Sequence, residues 1–356
     1  MQVLDIYAGP RALKTIQQQG FHQQLFSCML GASGGPKWFV LAGLDRVIMP
    51  EFFVGRTTPL DLLGSSAGSF RFACYAQQDP LAAINRLAHY YSHTVYSDKP
   101  DNQEITDKGW QLLDKVLEND GVNQILQNPL VRAHFVVARC LGFTRSESKG
   151  LQLTGLLSSA VANKFNRARL QRYYQRFVFS SPGSQLIIND PYQMPIYPVD
   201  LNAANLQSAL MASGSIPIVL KGVRDIADAP PGIYRDGGII DYHFDLQVTT
   251  KNDPEGLVLY PHFFAQPVPG WFDKTNGRKP HAASYDNVVM VVPSAEFVAS
   301  LPYAKIPDRK DFETMPAEQR IRYWQAVLSE SDRLGEAFMQ LATEQNGVDR
   351  IKPFSN

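Results

Sequence analysis

The sequence contains little cysteine, no excess of either charge and no long hydrophobic run. Its three cysteines, Cys28, Cys74 and Cys140, are widely spaced in 356 residues and form no C-x-x-C pair. This spacing argues against a disulfide framework or a structural zinc site, and a reducing compartment is expected. The 34 Lys and Arg residues balance 34 Asp and Glu residues, so no bulk electrostatic attraction to nucleic acid is expected.

Signals for export, membrane insertion and metal binding are also missing. No run approaches the roughly 18 apolar residues of a membrane span, and the N-terminus, MQVLDIYAGPRALKTIQQQG, lacks the basic-then-apolar order of a signal peptide. We therefore expect a soluble, cytoplasmic protein whose contact with a membrane or micelle is transient. No D-x-[DN]-x-[DN]-G calcium loop is present, and we expect neither a metal nor a cofactor.

Two successive strand-loop-helix units occupy the N-terminal part of the chain. The apolar run QLFSCML ends at the glycine-rich GASGGPK and is followed by WFVLAGLDRVIM, whose bulky residues suit a buried helix. PLDLLG, leading into SSAGSFRFACYAQ, repeats that plan. Such units favour a parallel sheet covered by helices, in one large α/β domain with an insertion or in two domains.

The middle of the chain has a different pattern. From residue 80 to 175 the apolar spacing is helical, including the stretch PLVRAHFVVARCLG, and we interpret this block as a helical insertion or cap. Strand patterns return at RFVFSS, QLIIND and QMPIYPV, and again at GIYRDGG, GLVLY and NVVMVVP, with a helix at NLQSALMASGS between the two groups. Apolar residues at helical spacing predict a C-terminal packing helix over 310–345.

The second unit carries a candidate nucleophile. Residues Gly64 to Gly68 read GSSAG and fit G-x-S-x-G, in which the glycines allow a sharp strand-to-helix turn that exposes the serine hydroxyl. Ser66 is therefore a candidate nucleophile, and the alternative is an ordinary turn of small residues. Phe70, Phe72 and Tyr75, which follow, are candidate wall residues of the site, although core packing explains them equally well.

The first unit supplies candidate groups for binding an oxyanion. The backbone N–H groups of Gly34 and Gly35 are expected to point into the site, because glycine tolerates the dihedral angles required. Lys37 would then place a positive charge near an anionic group of the substrate. A Walker-type phosphate loop requires Ser or Thr after the lysine, whereas Trp38 follows Lys37.

The serine also needs a base, and two types of residue compete for that role. Asp236 ends a short strand and precedes two glycines, although Asp-Gly is also a common turn dipeptide. A histidine-based triad is the alternative, built from Ser66, Asp236 and one of His243, His262 or His281.

In this order the three motifs resemble the patatin-like phospholipase family. That family has an oxyanion loop G-G-G-x-[R/K]-G, a G-x-S-x-G elbow and a distant D-G-[G/A]. Here they correspond to Ser33 through Trp38, to Gly64 through Gly68 and to Asp236 through Gly238. The first and last glycines of the oxyanion motif are replaced by Ser and Trp. The resemblance covers roughly residues 25–245.

The resemblance implies a single domain over 1–356, folded as a three-layer α/β/α sandwich with a mostly parallel central sheet. It also implies a lipid acyl hydrolase of phospholipase A or lysophospholipase type that uses a Ser66/Asp236 dyad without histidine. Gly34 and Gly35 would hold the oxyanion, and the substrate would be a lipid or another acyl ester. The helical block would line an acyl-chain channel.

Several alternatives remain open at this point. Acyl transfer replaces hydrolysis if an alcohol takes the place of water. The chain is also compatible with a histidine-triad esterase, or with a binding protein that keeps the fold around a degenerate site. Asp241 would raise the pKa of Asp236 if it were buried beside that residue; otherwise it would face solvent.

Overall fold

A mostly parallel sheet of eleven strands lies at the centre of the fold and is flanked by helices, which gives a three-layer α/β/α sandwich. This confirms the expected fold class. The computed structural model describes residues 2–345 and 347–354. Their strands are β1 Leu4–Ala8, β2 Phe26–Gly31, β3 Leu60–Ser65, β4 Val131–Cys140, β5 Tyr174–Ser180, β6 Leu186–Asn189, β7 Ile196–Asp200, β8 Val223–Arg224, β9 Ile233–Asp236, β10 Gln247–Thr250, β11 Leu257–Pro261, β12 Val288–Pro293 and β13 Lys352–Pro353.

The strand order in the main sheet is β13-β1-β12-β11-β2-β3-β4-β5-β7, with β9 also paired to β4 and β8 to β9. The run from β12 through β11, β2 and β3 to β4 is parallel. β2 and β3 are buried along their whole length, as expected of central strands covered on both faces. β6 and β10 form a separate antiparallel pair.

The α-helices are named in chain order, and short 3₁₀ segments join several of them. Their bounds are α1 Pro10–Gln19, α2 Ala42–Val47, α3 Ala67–Tyr75, α4 Pro80–Ser92, α5 Asn102–Leu117, α6 Gly121–Gln127, α7 Lys149–Phe165, α8 Leu206–Ser213, α9 Ala295–Ser300, α10 Asp311–Thr314, α11 Ala317–Glu330 and α12 Asp332–Glu344. Among these helices, none is both long enough and apolar enough to cross a membrane.

Local sequence explains where two of the helices begin. The carboxylate of Asp79 accepts a hydrogen bond from the N–H of Ala82, and Pro80 occupies the first turn of α4. Asp101 accepts in the same way from the N–H of Glu104 at the start of α5. Both aspartates satisfy an N–H group that a helix leaves unpaired at its first turn.

The prediction of a continuous helical block over 80–175 is wrong at its centre. The stretch VRAHFVVARC forms β4, which lies between β3 and β5 in the main sheet. The strand is buried at eight of its ten positions, and an apolar run buried on both faces shows no periodicity that separates strand from helix. The block therefore consists of two helical parts, 80–127 and 142–172, on either side of a sheet strand.

The C-terminal segment packs as expected but forms more than one helix. α11 and α12 meet at Ser331, whose hydroxyl accepts a hydrogen bond of 2.9 Å from the N–H of Gly43. Trp324 on α11 and Phe338 on α12 are fully buried. The segment 310–345 is thus a packing element, as expected, but its helix is divided at Ser331 into α11 and α12, with the short α10 before them.

Candidate active site

Ser66 lies at the turn between β3 and α3, with backbone angles φ 53° and ψ −121°. A positive φ is uncommon for a residue with a side chain, and strained residues of this kind cluster at functional sites. The turn needs close approach of α3 to β2: a Cβ atom on Gly68 would come within 1.9 Å of the carbonyl oxygen of Gly31. The GSSAG segment is therefore a strand-to-helix elbow, as the motif predicts.

The register of β4 brings the elbow to the candidate base. β3 runs parallel to the first half of β4, and its last residue, Ser65, pairs with Val136. β9 runs antiparallel to the second half of β4, and its last residue, Asp236, pairs with Val137. The two strands thus end facing each other at adjacent positions of β4, which places residue 66 beside residue 236.

The two candidate catalytic side chains are in direct contact. The hydroxyl of Ser66 donates a hydrogen bond of 2.8 Å to Asp236 Oδ2, and the N–H of Gly238 donates one of 2.7 Å to Oδ1. Burial raises the pKa of Asp236 to about 6, although these two hydrogen bonds and the charges of Arg309 and Lys274 act in the opposite direction. A buried carboxylate with a raised pKa is a stronger base than an exposed one.

Ser213, at the C-terminal end of α8, supports the elbow from behind. Its hydroxyl accepts a hydrogen bond of 3.0 Å from the backbone N–H of Ser66 and donates one of 2.8 Å to the carbonyl of Val136. The hydroxyl of Ser69 lies 2.8 Å away and shares this network. Sequence reasoning identified the helix around Ser213 but not this contact, because no motif marks it.

The glycine-rich loop after β2 faces the same pocket as Ser66. Gly35 has φ +53° and begins the 3₁₀ segment Gly35–Leu41, where the first N–H groups of a helical segment have no partner within it. Gly34 and Gly35 both line the pocket. Ser33, which precedes the two glycines, donates a hydrogen bond of 3.0 Å from its hydroxyl to Ser65 Oγ. This residue ties the loop to the end of β3.

The pocket over the dyad has a volume of about 110 Å³. Its floor contains the dyad and the glycine loop, one wall is apolar, and three cationic side chains lie around it. The lining residues are Ser33, Gly34, Gly35, Lys37, Ser66, Ile216, Pro217, Asp236, Gly238, Ile239, Tyr242, Trp271, Lys274 and Arg309. The structure therefore brings together Ser66, Asp236, Gly34, Gly35 and Lys37, as the sequence predicts.

Lys37, Lys274 and Arg309 form the positive part of the pocket. Within the described residues, none of the three makes an ion pair with a carboxylate, and the ammonium of Lys274 lies 3.7 Å from the ring centroid of Tyr242. Partial burial and repulsion from Lys37 and Arg309 lower the pKa of Lys274 to about 8. Sequence reasoning missed Lys274 and Arg309, because neither the 3₁₀ segment Trp271–Thr275 nor the turn at Arg309 carries a motif.

The histidines considered as alternative bases are engaged elsewhere, and none of them lines the pocket. His243 Nδ1 accepts a hydrogen bond of 2.9 Å from the N–H of Val268, and burial with the neighbouring His262 holds the pKa of His243 well below its usual value. His281 pairs with Asp245 at 2.8 Å. The contact that Ser66 makes is with Asp236, so the geometry disagrees with a histidine triad.

Asp241 takes neither of the two positions considered for it. It is fully buried, and Arg176 binds its carboxylate at 2.6 Å and 3.0 Å, with Arg167 at 3.4 Å. Its charge is therefore balanced by two guanidinium groups. The raised pKa of Asp236 results from burial of Asp236 itself.

The aromatic residues after the elbow pack in the core, which is one of the two explanations that the sequence leaves open, and they do not line the pocket. Phe72 and Tyr75 are fully buried, and the Tyr75 hydroxyl donates a hydrogen bond of 2.7 Å to Asp45. Phe70 packs against the same core. The apolar pocket wall comes instead from residues after α8 and β9 and from Trp271, which are distant in sequence.

Comparison with known proteins adds no assignment: no protein-family model matches the sequence, and no curated protein matches it significantly. Within residues 2–345 and 347–354, no group of three or more His, Cys, Asp or Glu side chains is placed to hold a metal ion. The chemical argument therefore starts from the contacts around Ser66.

Proposed function

We propose that the protein is a patatin-like acyl hydrolase that cleaves carboxylic esters of lipids through a Ser66/Asp236 dyad. The observation that carries the proposal is the 2.8 Å hydrogen bond from the Ser66 hydroxyl to the buried Asp236 carboxylate at a strand-to-helix elbow. A nucleophile in contact with its base, beside unpaired backbone N–H groups, is the arrangement that acyl transfer requires.

The first half of the reaction forms an acyl-enzyme. Asp236 Oδ2 takes the hydroxyl proton as Ser66 Oγ attacks the ester carbonyl carbon. The N–H groups of Gly34 and Gly35 donate hydrogen bonds to the oxygen that becomes negative in the tetrahedral intermediate. When the intermediate collapses, the carbon–oxygen bond of the ester breaks and the proton on Asp236 passes to the leaving alcohol.

The second half releases the acid. Asp236, again ionised, accepts a proton from a water molecule that attacks the acyl carbonyl carbon, and the same glycine N–H groups bind the second oxyanion. Collapse breaks the bond to Ser66 Oγ, which regains its proton from Asp236. An alcohol in place of water gives acyl transfer through the same steps.

The charge and size of the pocket indicate what surrounds the scissile ester. Lys37, Lys274 and Arg309 line a space of about 110 Å³, which accommodates the ester and an adjacent anionic group such as the phosphate of a phospholipid. A long acyl chain does not fit in that volume and would extend beyond the mouth of the pocket.

Labelling with a fluorophosphonate ester tests the dyad directly. Peptide mass spectrometry should place the adduct of the wild-type protein on Ser66, and Asp236→Asn should label at least about a hundredfold more slowly, because the nucleophile has lost its base. His243→Asn, which keeps an acceptor near the Nδ1 position, should label at the wild-type rate.

A series of p-nitrophenyl esters then defines the substrate. Wild-type protein should hydrolyse them, and Ser66→Ala should not. Absence of both labelling and hydrolysis in folded wild-type protein would reject the proposal in favour of a patatin-like binding protein. Loss of labelling in His243→Asn, with labelling kept in Asp236→Asn, would favour a histidine-dependent esterase.

A further inference from the structure

Helix α7 exposes a stripe of apolar side chains. Leu153, Leu157, Val161 and Phe165 recur every fourth residue, and 51%, 60%, 60% and 74% of their respective surfaces are exposed. Residues four apart lie on one face of a helix. The four side chains therefore form one continuous strip along α7.

The exposed apolar surface of the protein is concentrated at this helix. Of the thirteen large apolar side chains exposed in the described chain, six lie between residues 143 and 165: the four of the stripe, Leu151 near the start of α7 and Phe143 before it. Monomeric proteins seldom leave such a patch uncovered unless it binds something. We call these six side chains the α7 patch.

The opposite face of α7 is firmly packed. Gly155, Leu156 and Ser159 are buried, and a Cβ atom on Gly155 would come within 2.7 Å of the backbone nitrogen of Thr144. The exposed stripe therefore belongs to a helix that is held in place on its other side.

Two hydrogen bonds connect α7 to segments that line the active-site pocket. Gln152 Oε1 accepts from the N–H of Ile218 at 2.5 Å, and Asn163 Nδ2 donates to Asp273 Oδ1 at 2.6 Å. Ile218 directly follows two pocket-lining residues, and Asp273 lies between two others. The packed face of α7 is thus bonded to segments that line the pocket of Ser66.

The charges around the patch favour an anionic partner. Residues 142–172 contain six Lys and Arg residues and one acid, Glu147, in a chain whose charges balance over its whole length. Glu147 is paired with Arg235 at 2.7 Å. The exposed cations at the two ends of the helix are Arg145, Lys149, Lys164, Arg169 and Arg172.

A second copy of the chain fits this surface less well than a lipid surface does. A symmetric dimer built on the α7 patch would bring the same basic flanks of two copies together. Anionic headgroups would instead neutralise those flanks while the apolar side chains enter the interface, as in other amphipathic helices that lie on membranes.

We propose that α7 is a docking surface for anionic lipid bilayers. Its apolar stripe enters the boundary between headgroups and acyl chains, and its flanking cations bind the headgroups. This inference goes beyond the proposed function and rests on it only in taking lipid as the substrate.

Vesicle co-sedimentation with full-length protein tests the docking surface. Wild-type protein should bind vesicles of phosphatidylglycerol and phosphatidylcholine, more weakly at high salt and more weakly still to phosphatidylcholine alone. The triple variant Leu153→Gln, Leu157→Gln, Val161→Gln should bind at least about tenfold less. A matched variant with exposed residues elsewhere, Val54→Gln, Leu81→Gln, Val95→Gln, should bind as wild type does.

Hydrolysis of a short, water-soluble p-nitrophenyl ester separates the two proposals. Both triple variants should retain it, which also shows that they are folded.

Equal vesicle binding by wild type and the α7 variant, or no binding by wild type, would overturn the docking proposal even if Ser66 is active. Vesicle binding lost only in the α7 variant would support docking even if Ser66 proves unreactive. A wild-type dimer that dissociates in the α7 variant, without vesicle binding, would identify the patch as a self-association surface and reject docking.

Discussion

The backbone N–H of Ser66 donates a hydrogen bond of 3.0 Å to the hydroxyl of Ser213, 147 residues further along the chain. Ser213 in turn donates to the carbonyl of Val136 on β4. The strained backbone of the nucleophile is therefore held between α8 and the central sheet, and its hydroxyl points at Asp236.

Removal of the Ser213 hydroxyl should weaken catalysis more than folding. In Ser213→Ala the N–H of Ser66 loses its acceptor, so we expect kcat to fall about tenfold with KM nearly unchanged. Ser215→Ala is the control, since Ser215 is also buried but its hydroxyl donates to the carbonyl of Met211. Steady-state kinetics check both variants. An equal fall in kcat in the two would show that Ser213 has no special role.

The rate of ester hydrolysis should depend on the ionisation of Asp236. Because the carboxylate must accept a proton and its pKa is raised to about 6, kcat/KM should rise with pH through that value and then level off. Measurements with a neutral ester between pH 4.5 and 7.5 check this profile. The same rise of kcat/KM with pH should remain in His243→Asn. A profile that stays flat in this range would exclude Asp236 as the base.

The buried carboxylate should also make stability depend on pH. The pKa of Asp236 is raised from its ordinary 3.8 to about 6 in the folded state, so between these values the folded protein binds more protons than the unfolded chain. The contribution of Asp236 to the free energy of unfolding is thus fully present below pH ~4 and is lost as pH rises through ~6. The whole loss is about 3 kcal/mol at most.

Asp236→Asn should therefore be inactive but more stable than wild type at neutral pH. Urea unfolding at pH 7.5 should show a gain of about 1–3 kcal/mol, which disappears near pH 4. Ser66→Ala provides an inactive variant that keeps the carboxylate. A loss of stability in Asp236→Asn at pH 7.5 would mean that burial of the ionised Asp236 carboxylate does not destabilise the folded protein.

Replacement of Gly35 by alanine should lower both stability, through the backbone angle, and kcat, through the position of Gly35 in the pocket. Gly35 and Gly55 have positive φ values of 53° and 69°, so alanine should destabilise the protein by about 1 kcal/mol at either position. Only Gly35→Ala disturbs the N–H groups aimed at the oxyanion, and we expect its kcat to fall at least about tenfold. Thermal unfolding and kinetics on both variants check this. A similar kcat for the two would argue against the oxyanion assignment.

The cationic side chains should select substrates by charge. In the double variant Lys274→Gln, Arg309→Gln, kcat/KM for an ester with an adjacent phosphate should fall at least about tenfold, while that for a neutral ester changes little. Lys310→Gln is the control, because Lys310 is exposed beside Arg309 but does not line the pocket. Equal losses for the anionic and neutral esters would exclude an anion subsite.

Much of the fold and the centre of the site follow from local sequence. The two strand-loop-helix units predict β2, β3 and the helices after them, because the apolar runs and glycine turns that specify them are continuous in sequence. Ser66, Asp236 and the glycine loop are marked by short motifs that need particular backbone turns. Taken singly, these motifs leave the base open between Asp236 and a histidine, and only the resemblance carried by the three together predicts which groups meet.

Other features depend on packing that no local pattern records. β4 has the same uninterrupted apolar character as a buried helix. Its pairing with β3, β5 and β9 makes this stretch a strand. Ser213, Lys274 and Arg309 reach the site from segments without a motif, so only the assembled sheet and loops reveal them.

The end-to-end arrangement of β3 and β9 along β4 has a consequence for how the protein is made. Ser66 and its elbow are synthesised early, but the carboxylate that accepts the hydrogen bond of its hydroxyl lies 170 residues later. A nascent chain therefore carries the serine without this partner until β9 emerges and pairs with β4. The hydroxyl and the carboxylate meet only when a strand from the second half of the chain joins one from the first half.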